Sequence, residues 1–344
     1  MDIIIRTSRL QRKAIQNALL FYIHLQNTNF ALAFKRLAKN GFIDSEAALN
    51  DGYKENALKM QEYVLQKTDK SEEGQKTFKR KKKTVEKWLN TICDTVFPSY
   101  EESEEDKNEI LLYVPDVTEE ELYILKDVLE FYMRIALGQW DEFTNSISPF
   151  LLSKLDDVKP YYTYRDQIFN IYNRNGHYDM ASSFGIGSKK LQEGVRRCYE
   201  MEHEILNQLE IAPYCGIYSM KWANDSERMP GVCLEAKYLF QYDGDKEKAI
   251  RQLDDMSLQK KHYSSSINKN CLSPYRIFSD QPDILYLPIR NQNGVLYEPL
   301  EKGMYVYQKR NGYYVISKYE IKNVMDQYPA ENKDIYKSTT HHLG

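Results

Sequence analysis

An α+β fold, with helical N-terminal and central regions and a C-terminal antiparallel β-hairpin region, is what this 344-residue sequence predicts. Three observations carry that prediction. Apolar residues recur three and four apart through much of the first hundred positions, the segment after Thr118 repeats that helical period, and beyond Asn270 the period falls to two between glycine-containing turns.

Ser8 is placed to cap a helix whose stripe is Leu10, Ala14, Ile15, Ala18, Leu19, Tyr22 and Leu25. Asn29 opens a second helix that stops at Asn40-Gly41, and Asp44 is placed to cap the next turn. Tyr53, Ala57, Met60 and Val64 continue the pattern up to the polar break KTDKSEEGQ. Seven basic residues against one acid, Glu86, then fill Lys76 to Lys87, after which an apolar stretch stops before Pro98. Between Glu101 and Glu109 six acids face one Lys107, which reads as a solvated linker. The expected organisation is a helical domain over 1–98, an acidic linker over 99–117, a mainly helical central domain over 118–270, an antiparallel β region over 271–330 and a tail over 331–344.

Thr118-Glu119-Glu120-Glu121 opens the central region as a capping box, and Leu122, Leu125, Leu129, Tyr132, Met133 and Ala136 make an amphipathic helix ending near Gly138. AKYLFQYDGDKEKAIRQLDDM is similar to a tetratricopeptide-type helix–turn–helix, with Asp245 as an N-cap. Gly138 and Gly244 lie too far apart for the ~34-residue period of a true array, so local helical hairpins are expected instead. In the β region LYLPIR, GVLYEPL, GMYVYQKR and GYYVISKYE alternate between NQNG, EKG and NG turns, and Asn311-Gly312 is a two-residue hairpin signal.

Hydrophobic residues at 42% and charged residues at 28% are those of a folded globular chain, and the formal net charge of −3 argues against global steering toward nucleic acid. The 28 tyrosines stand out; tyrosine joins apolar area to a polar tip and is enriched where proteins meet. Cys93, Cys198, Cys215, Cys233 and Cys271 are odd in number and contain no C-x-x-C pair, as expected of reduced thiols. No apolar run reaches ~18 residues, and Arg6, Arg9, Arg12 and Lys13 interrupt the start, so a cytoplasmic protein with no membrane partner is expected.

Tyr132, Arg134, Ile135, Gly138, Gln139, Trp140 and Glu142, followed by Ser183, Phe184, Gly185, Ile186, Gly187, Arg196 and Tyr199, form two spaced motifs. Together they resemble a group of bacteriophage and prophage proteins with Y-x-R-[IV]-x-x-G-Q-x-x-E and S-[YF]-G-I-G…A-R-x-x-Y segments, with Val195 here in place of the alanine. The resemblance covers roughly residues 118 to 210, about a quarter of the chain. It implies a phage-encoded accessory protein acting inside an infected bacterium.

Several local patterns are candidate sites. Gly185, Gly187, Ser188, Lys189 and Lys190, with Arg196, have the shape of an anion or ligand turn, a glycine pair before a capping serine and two cations. The spacing matches neither G-x-x-x-x-G-K-[ST] nor G-x-G-x-x-G, so a plain turn with an N-cap competes with it. Arg134 and Arg196 are candidates for ion pairing, Glu142 being a local partner for Arg134. The run Lys79, Arg80, Lys81, Lys82 and Lys83, with Phe78 and Trp88 nearby, is a nucleic-acid candidate. Tyr305, Tyr307, Tyr313 and Tyr314 are interface candidates on the β-hairpins. The histidines and carboxylates show no metal-ligand spacing, and no nucleophile has a recognisable base, so neither a cofactor nor a catalytic residue is assigned. The resulting expectation is a non-enzymatic, oligomeric phage protein that binds a host protein complex and inhibits an antiviral defence. The alternatives are a nucleotide or signalling-phosphate binder at Gly185 to Lys190 and a nucleic-acid-binding regulator at Lys79 to Lys83.

Overall fold

The computed structural model describes residues 1, 3–40, 52–67, 72–92, 109–142, 157–172, 185–188, 191–208, 231–234, 239–260, 274–291, 294–308, 314–317 and 321–323. The fold is α+β, with two units: a helical one from Ser8–Lys107 and Glu119–Glu202, and a β-rich one from Met1–Thr7, Asn108–Thr118 and His203–Gly344.

The helical unit is arranged around α1 (Arg9–Gln26), which packs on α2 (Phe30–Asn40), α4 (Glu72–Ile92) and α5 (Glu119–Ala136). α2 packs in turn on α3 (Gly52–Lys67), and α3 on α6 (Lys159–Tyr172). Ser8 caps α1 as its sequence position predicts: its Oγ accepts from the Gln11 amide at 3.2 Å, and its own amide donates to Gln11 Oε1 at 2.7 Å. This closed capping box satisfies donors that lie where water cannot reach them. Asn29 Oδ1 accepts from the Leu32 amide at 3.4 Å, starting α2 where expected. Position 41, the other half of the expected Asn40-Gly41 stop, and Asp44 lie outside the described residues.

α5 ends in a Schellman turn. The Gly138 amide donates to the Ile135 carbonyl at 3.1 Å and the Gln139 amide to the Arg134 carbonyl at 2.9 Å, with Gly138 at φ 97°. That left-handed position strains any side chain, which accounts for the glycine. The turn delivers Trp140 into the core, its ring stacked on Phe34 at 5.5 Å and edge-on to Phe169 at 5.6 Å.

The β-rich unit gathers three sheets. β1 (Ile3–Ser8), β2 (Glu109–Val114), β3 (Gly231–Leu234) and β10 (Ile321–Asn323) run in the order β10-β2-β1-β3. β1 pairs antiparallel with β3, and β10 pairs parallel with β2. The amide of Val117 and the N-terminal ammonium of Met1 each donate to the other residue's carbonyl, both at 2.7 Å. A second sheet joins β4 (Leu239–Gln241), β8 (Tyr305–Gln308) and β9 (Tyr314–Ser317); a third joins β5 (Arg276–Phe278), β6 (Gln281–Asn291) and β7 (Gly294–Pro299). Between them lies a core of Phe240, Tyr242, Leu253, Met256, Leu285, Leu287 and Val306, to which α8 (Lys246–Lys260) contributes.

The β-hairpin pairing agrees with the period-two reading. β8 pairs with β9 with Gln308 opposite Tyr314, although Asn311-Gly312 itself lies outside the described residues. Three features differ from the sequence reading. The Ile3-Ile4-Ile5 run is a strand, because it is buried in a sheet before the Ser8 cap turns the chain into a helix. Within the acidic 99–117 segment, Glu109–Val114 forms β2, whose Leu111 is fully buried with Ile4 and Tyr307. The tetratricopeptide-like segment is a strand followed by a helix: Leu239–Gln241 is β4, and only the part after the Gly244 turn is helical. Asp245 does cap that helix, its Oδ1 accepting from the Lys248 amide at 3.0 Å.

Trp140→Ala is expected to destabilise the helical unit by about 3–5 kcal/mol, since the cavity has the rigid rings of Phe34 and Phe169 for walls. Urea denaturation followed by circular dichroism measures it; a loss below ~1 kcal/mol would contradict this packing.

Candidate functional site

The glycine turn is held from inside. The Ser188 amide bonds the Gly185 carbonyl at 2.9 Å, with Gly185 at φ 78°. Arg196 donates through Nη2 to the Ser188 carbonyl at 2.8 Å, through Nε to the Ile186 carbonyl at 3.3 Å, and through Nη1 to Glu193 Oε2 at 2.9 Å. Carbonyl oxygens thus face the guanidinium, the reverse of an anion cradle, in which amides point at the ligand. The helix after the turn, α7 (Glu193–Gln208), starts at Glu193, so Ser188 does not stand at its first turn. Gly187 is exposed on the turn, while Lys189 and Lys190 lie outside the described residues.

The first motif is likewise occupied with holding the fold. Arg134 meets Glu130 at 2.8 Å, Gln139 Oε1 at 3.4 Å and Glu142 at 3.5 Å, the last being the partner expected from sequence. Burial by itself would raise the Glu130 carboxyl, but hydrogen bonds from Lys126 and Arg134 hold it below the usual range. The Tyr132 hydroxyl accepts from Asn17 Nδ2 at 2.8 Å, and Arg36 Nη1 donates to Asn17 Oδ1 at 3.3 Å, linking α5, α1 and α2 through one buried amide. His24 lies in the same unit with its pKa lowered to about 4, chiefly by burial and then by the charge of Arg36.

On the basic helix α4, Lys81 and Lys83 are exposed. Lys82 reaches Asn27 Oδ1 at 2.6 Å, and Lys87 pairs with Glu121 at 2.8 Å. Trp88 is buried and donates to the Glu121 carbonyl at 2.7 Å, so it offers no ring for base stacking. The side chains of Phe78, Lys79 and Arg80 lie outside the described residues. Cys198 is fully buried, and burial pushes its thiol well above the usual range, away from nucleophilic use. Among the described residues no three His, Cys, Asp or Glu side chains gather as a metal site, and no helix is long and apolar enough to cross a membrane.

The interface tyrosines are distributed differently from the sequence expectation. Tyr307 is fully buried with Ile4 and Leu111, and Tyr305 packs against the same cluster, because the β4–β8–β9 sheet turns them inward. Tyr313 and the side chain of Tyr314 lie outside the described residues. Among the described residues of this unit, the exposed large apolar side chains other than Met1 lie on β5–β6–β7 instead, Leu296 of β7 (50%) included. Ile277 (43%), Phe278 (38%) and Ile284 (36%) stand open to solvent there, and all three residues of β5 are exposed.

Strand alternation explains this surface. Leu285 and Leu287 fill the core, so Ile284 and Tyr286 point the other way. Arg276 is opposite Tyr286 on one side of β6, and Tyr297 is opposite Pro288 on the other. Phe278 meets the Tyr286 ring edge-on at 4.7 Å, Arg276 lies 4.2 Å over the Tyr297 ring, and the Tyr286 hydroxyl donates to Gln281 Oε1. The result is a preformed aromatic and aliphatic face. Its signal in the sequence is the ILYL run, which has no polar alternates, so a three-stranded sheet must turn one apolar set outward.

Two consequences are measurable. Arg196→Ala should cost about 1–3 kcal/mol, because the Ile186 and Ser188 carbonyls lose their donor, and the Ser188 amide should exchange faster; unchanged exchange would contradict the clamp. His24 has a lower pKa folded than unfolded, so its contribution is complete above pH ~6.5 and is lost as pH falls toward its folded value of about 4, on the order of 3 kcal/mol. Comparing denaturation of the wild type and His24→Gln between those limits isolates it; parallel pH profiles would contradict the burial.

No protein-family model, no curated protein and no solved structure matches this chain.

Proposed function

We propose that this chain is a non-enzymatic binding protein that docks a host protein complex through the outer face of β5–β6–β7 and thereby inhibits a bacterial antiviral defence. One observation carries the reading: Phe278 and Ile284 are exposed beside Tyr286, on the side of β6 turned away from the core residues Leu285 and Leu287. Leaving large apolar groups in water forgoes burial, and contiguous patches of this kind mark interaction surfaces. Rings fixed by mutual contact, as Phe278 is on Tyr286 and Arg276 on Tyr297, lose little conformational freedom on binding, and aromatic and arginine side chains dominate binding energy at interfaces. The bacterial host and the accessory role rest on the resemblance of the two central motifs to phage proteins. That Arg134, Trp140 and Arg196 are engaged within the fold favours binding over chemistry at those motifs.

The test is affinity capture with the tagged full chain from bacterial lysate, in parallel with Phe278→Ser/Ile284→Ser, followed by mass measurement of the eluted assembly. Both side chains are exposed, so the double variant should fold with the wild-type circular dichroism spectrum. The wild type is expected to recover a stoichiometric protein partner that the variant loses, with affinity weakened at least ~tenfold. A partner retained equally by the folded variant would overturn the reading.

A further inference from the structure

The hydrogen-bond phase of β7 shows which of its backbone groups are unused. Just past the strand, the Leu300 amide donates to the Leu285 carbonyl at 2.7 Å. Bonded pairs of an antiparallel ladder recur at every second residue, so Glu298 with Leu287, Leu296 with Ile289 and Gly294 with Asn291 carry the bonds between β7 and β6. Val295, Tyr297 and Pro299 turn their backbone groups the other way. Pro288 and Pro299 fit this phase, since both stand where the β6–β7 ladder needs no amide. β7 is an edge strand, and among the described residues nothing bonds the outward amides of Val295 and Tyr297 or the carbonyls of Val295, Tyr297 and Pro299. Its protection is confined to the last two residues, Glu298 and Pro299. β5, at the opposite edge, is three residues long with an irregular register, whereas β7 pairs over six residues without a shift.

We infer that this edge takes β7 of a second copy of the chain, paired antiparallel about a twofold axis at Tyr297. The edge is self-complementary in that register. The two Tyr297 residues exchange both amide-to-carbonyl bonds, and each Val295 amide meets the Pro299 carbonyl of the other copy, so every outward amide is used. An axis at Val295 would set Tyr297 opposite position 293, outside the strand, and an axis at Pro299 would set a residue without an amide against itself. The side chains agree with the backbone. Tyr297 meets its copy as a cross-strand aromatic pair on the outer side, and Leu296, exposed at 50% in the single chain, lies opposite Glu298 of the other copy on the core side. This pairing stands on the ladder and goes beyond the docking reading, but it also supplies what that reading needs. A twofold axis perpendicular to the strands joins the two three-stranded sheets into one, with both outer faces on the same side. Phe278, Ile284 and Tyr286 alone are few against the roughly 800 Å² that a specific interface covers on each partner, and a second copy doubles them.

The experiment is sedimentation velocity of the full chain at concentrations up to about 100 μM, with amide exchange followed in parallel. The wild type is expected to form a concentration-dependent dimer, and the Val295 and Tyr297 amides to exchange more slowly as it forms. Leu296→Glu sets like charges directly opposite at both symmetry-related positions and should weaken the dimer at least ~tenfold. Leu296→Glu/Glu298→Lys should restore it, because position 296 of each copy then faces a cation at position 298 of the other. Val295→Pro should also weaken the dimer while keeping the wild-type circular dichroism spectrum, since that amide makes no bond to β6. Phe278→Ser/Ile284→Ser should leave the dimer unchanged. A monomer at every concentration, exchange of the two amides that does not slow in the dimer, no effect of Leu296→Glu, or no rescue by the charge swap would each overturn the inference. A dimer kept by Val295→Pro but lost in Phe278→Ser/Ile284→Ser would overturn it in favour of contact between copies through the outer face. A monomer that still captures a host protein through Phe278 and Ile284 would overturn the pairing alone and leave the docking reading standing.

Discussion

A helix buried on nearly every side cannot consist of apolar residues alone without losing the specificity of its placement, and α1 is such a helix. Gln11, Arg12, Gln16, Asn17 and Gln26 lie within the interior alongside Leu10, Ile15 and Leu19. An amide moved from water into an interior is penalised by roughly 1–3 kcal/mol unless a partner replaces the water. Asn17 answers that with Tyr132 on α5 and Arg36 on α2, and Gln11 answers it by closing the Ser8 capping box. Each partner has to arrive at hydrogen-bond distance, so the polar residues of α1 set the rotation and height of the helices around it. Apolar contacts would tolerate a slide along the helix; these bonds do not.

The same constraint explains why the two central motifs carry so much fold information. Tyr132 is there to satisfy Asn17, Gly138 to turn the chain in a left-handed conformation, and Trp140 to fill the space that the turn opens beside Phe34. Arg134 and Arg196 play parallel parts. Each spreads a guanidinium over three acceptors near a bend, Arg134 over Glu130, Gln139 and Glu142, and Arg196 over two carbonyls and Glu193. A planar five-donor fork suits such work better than a lysine, whose single ammonium cannot span the separated acceptors. Gly138 thus ends a helix, and Arg134 and Arg196 tie helices to the bends beside them.

How much could be read beforehand follows from how local each signal is. Caps, turns and periodic stripes are encoded within a few residues, so Ser8, Asn29, Asp245 and the Thr118 to Gly138 helix were legible, as were the paired strands β8 and β9. Long-range pairing is not local. Nothing near Ile3 announces that it will lie opposite Leu234, and nothing in Glu109–Val114 announces a parallel neighbour at Ile321–Asn323. The face of a strand is intermediate: alternation shows that Tyr305 and Tyr307 share a side, but which side is buried depends on a cluster with Ile4 and Leu111 from distant segments. For the same reason the tyrosines of β8 read as exposed, whereas Tyr307 is buried and the exposed side chains of this unit include Phe278 and Ile284.

Both units break the rule of apolar inside and polar outside, and only some of the exceptions follow from folding. The buried polar groups of the helical unit for which partners are described are bonded within the fold, so they are explained by folding alone. Exposed apolar side chains occur in both units, Leu58 and Tyr123 in the helical one and Ile284 in the β-rich one, and for Ile284 folding gives no reason, since Leu285 and Leu287 already supply the core face of β6. Serine or threonine at Ile284 would leave that core intact and remove an aggregation hazard on a sheet bounded by open edge strands. Ile284 is thus the position at which folding and the proposed docking ask for different residues.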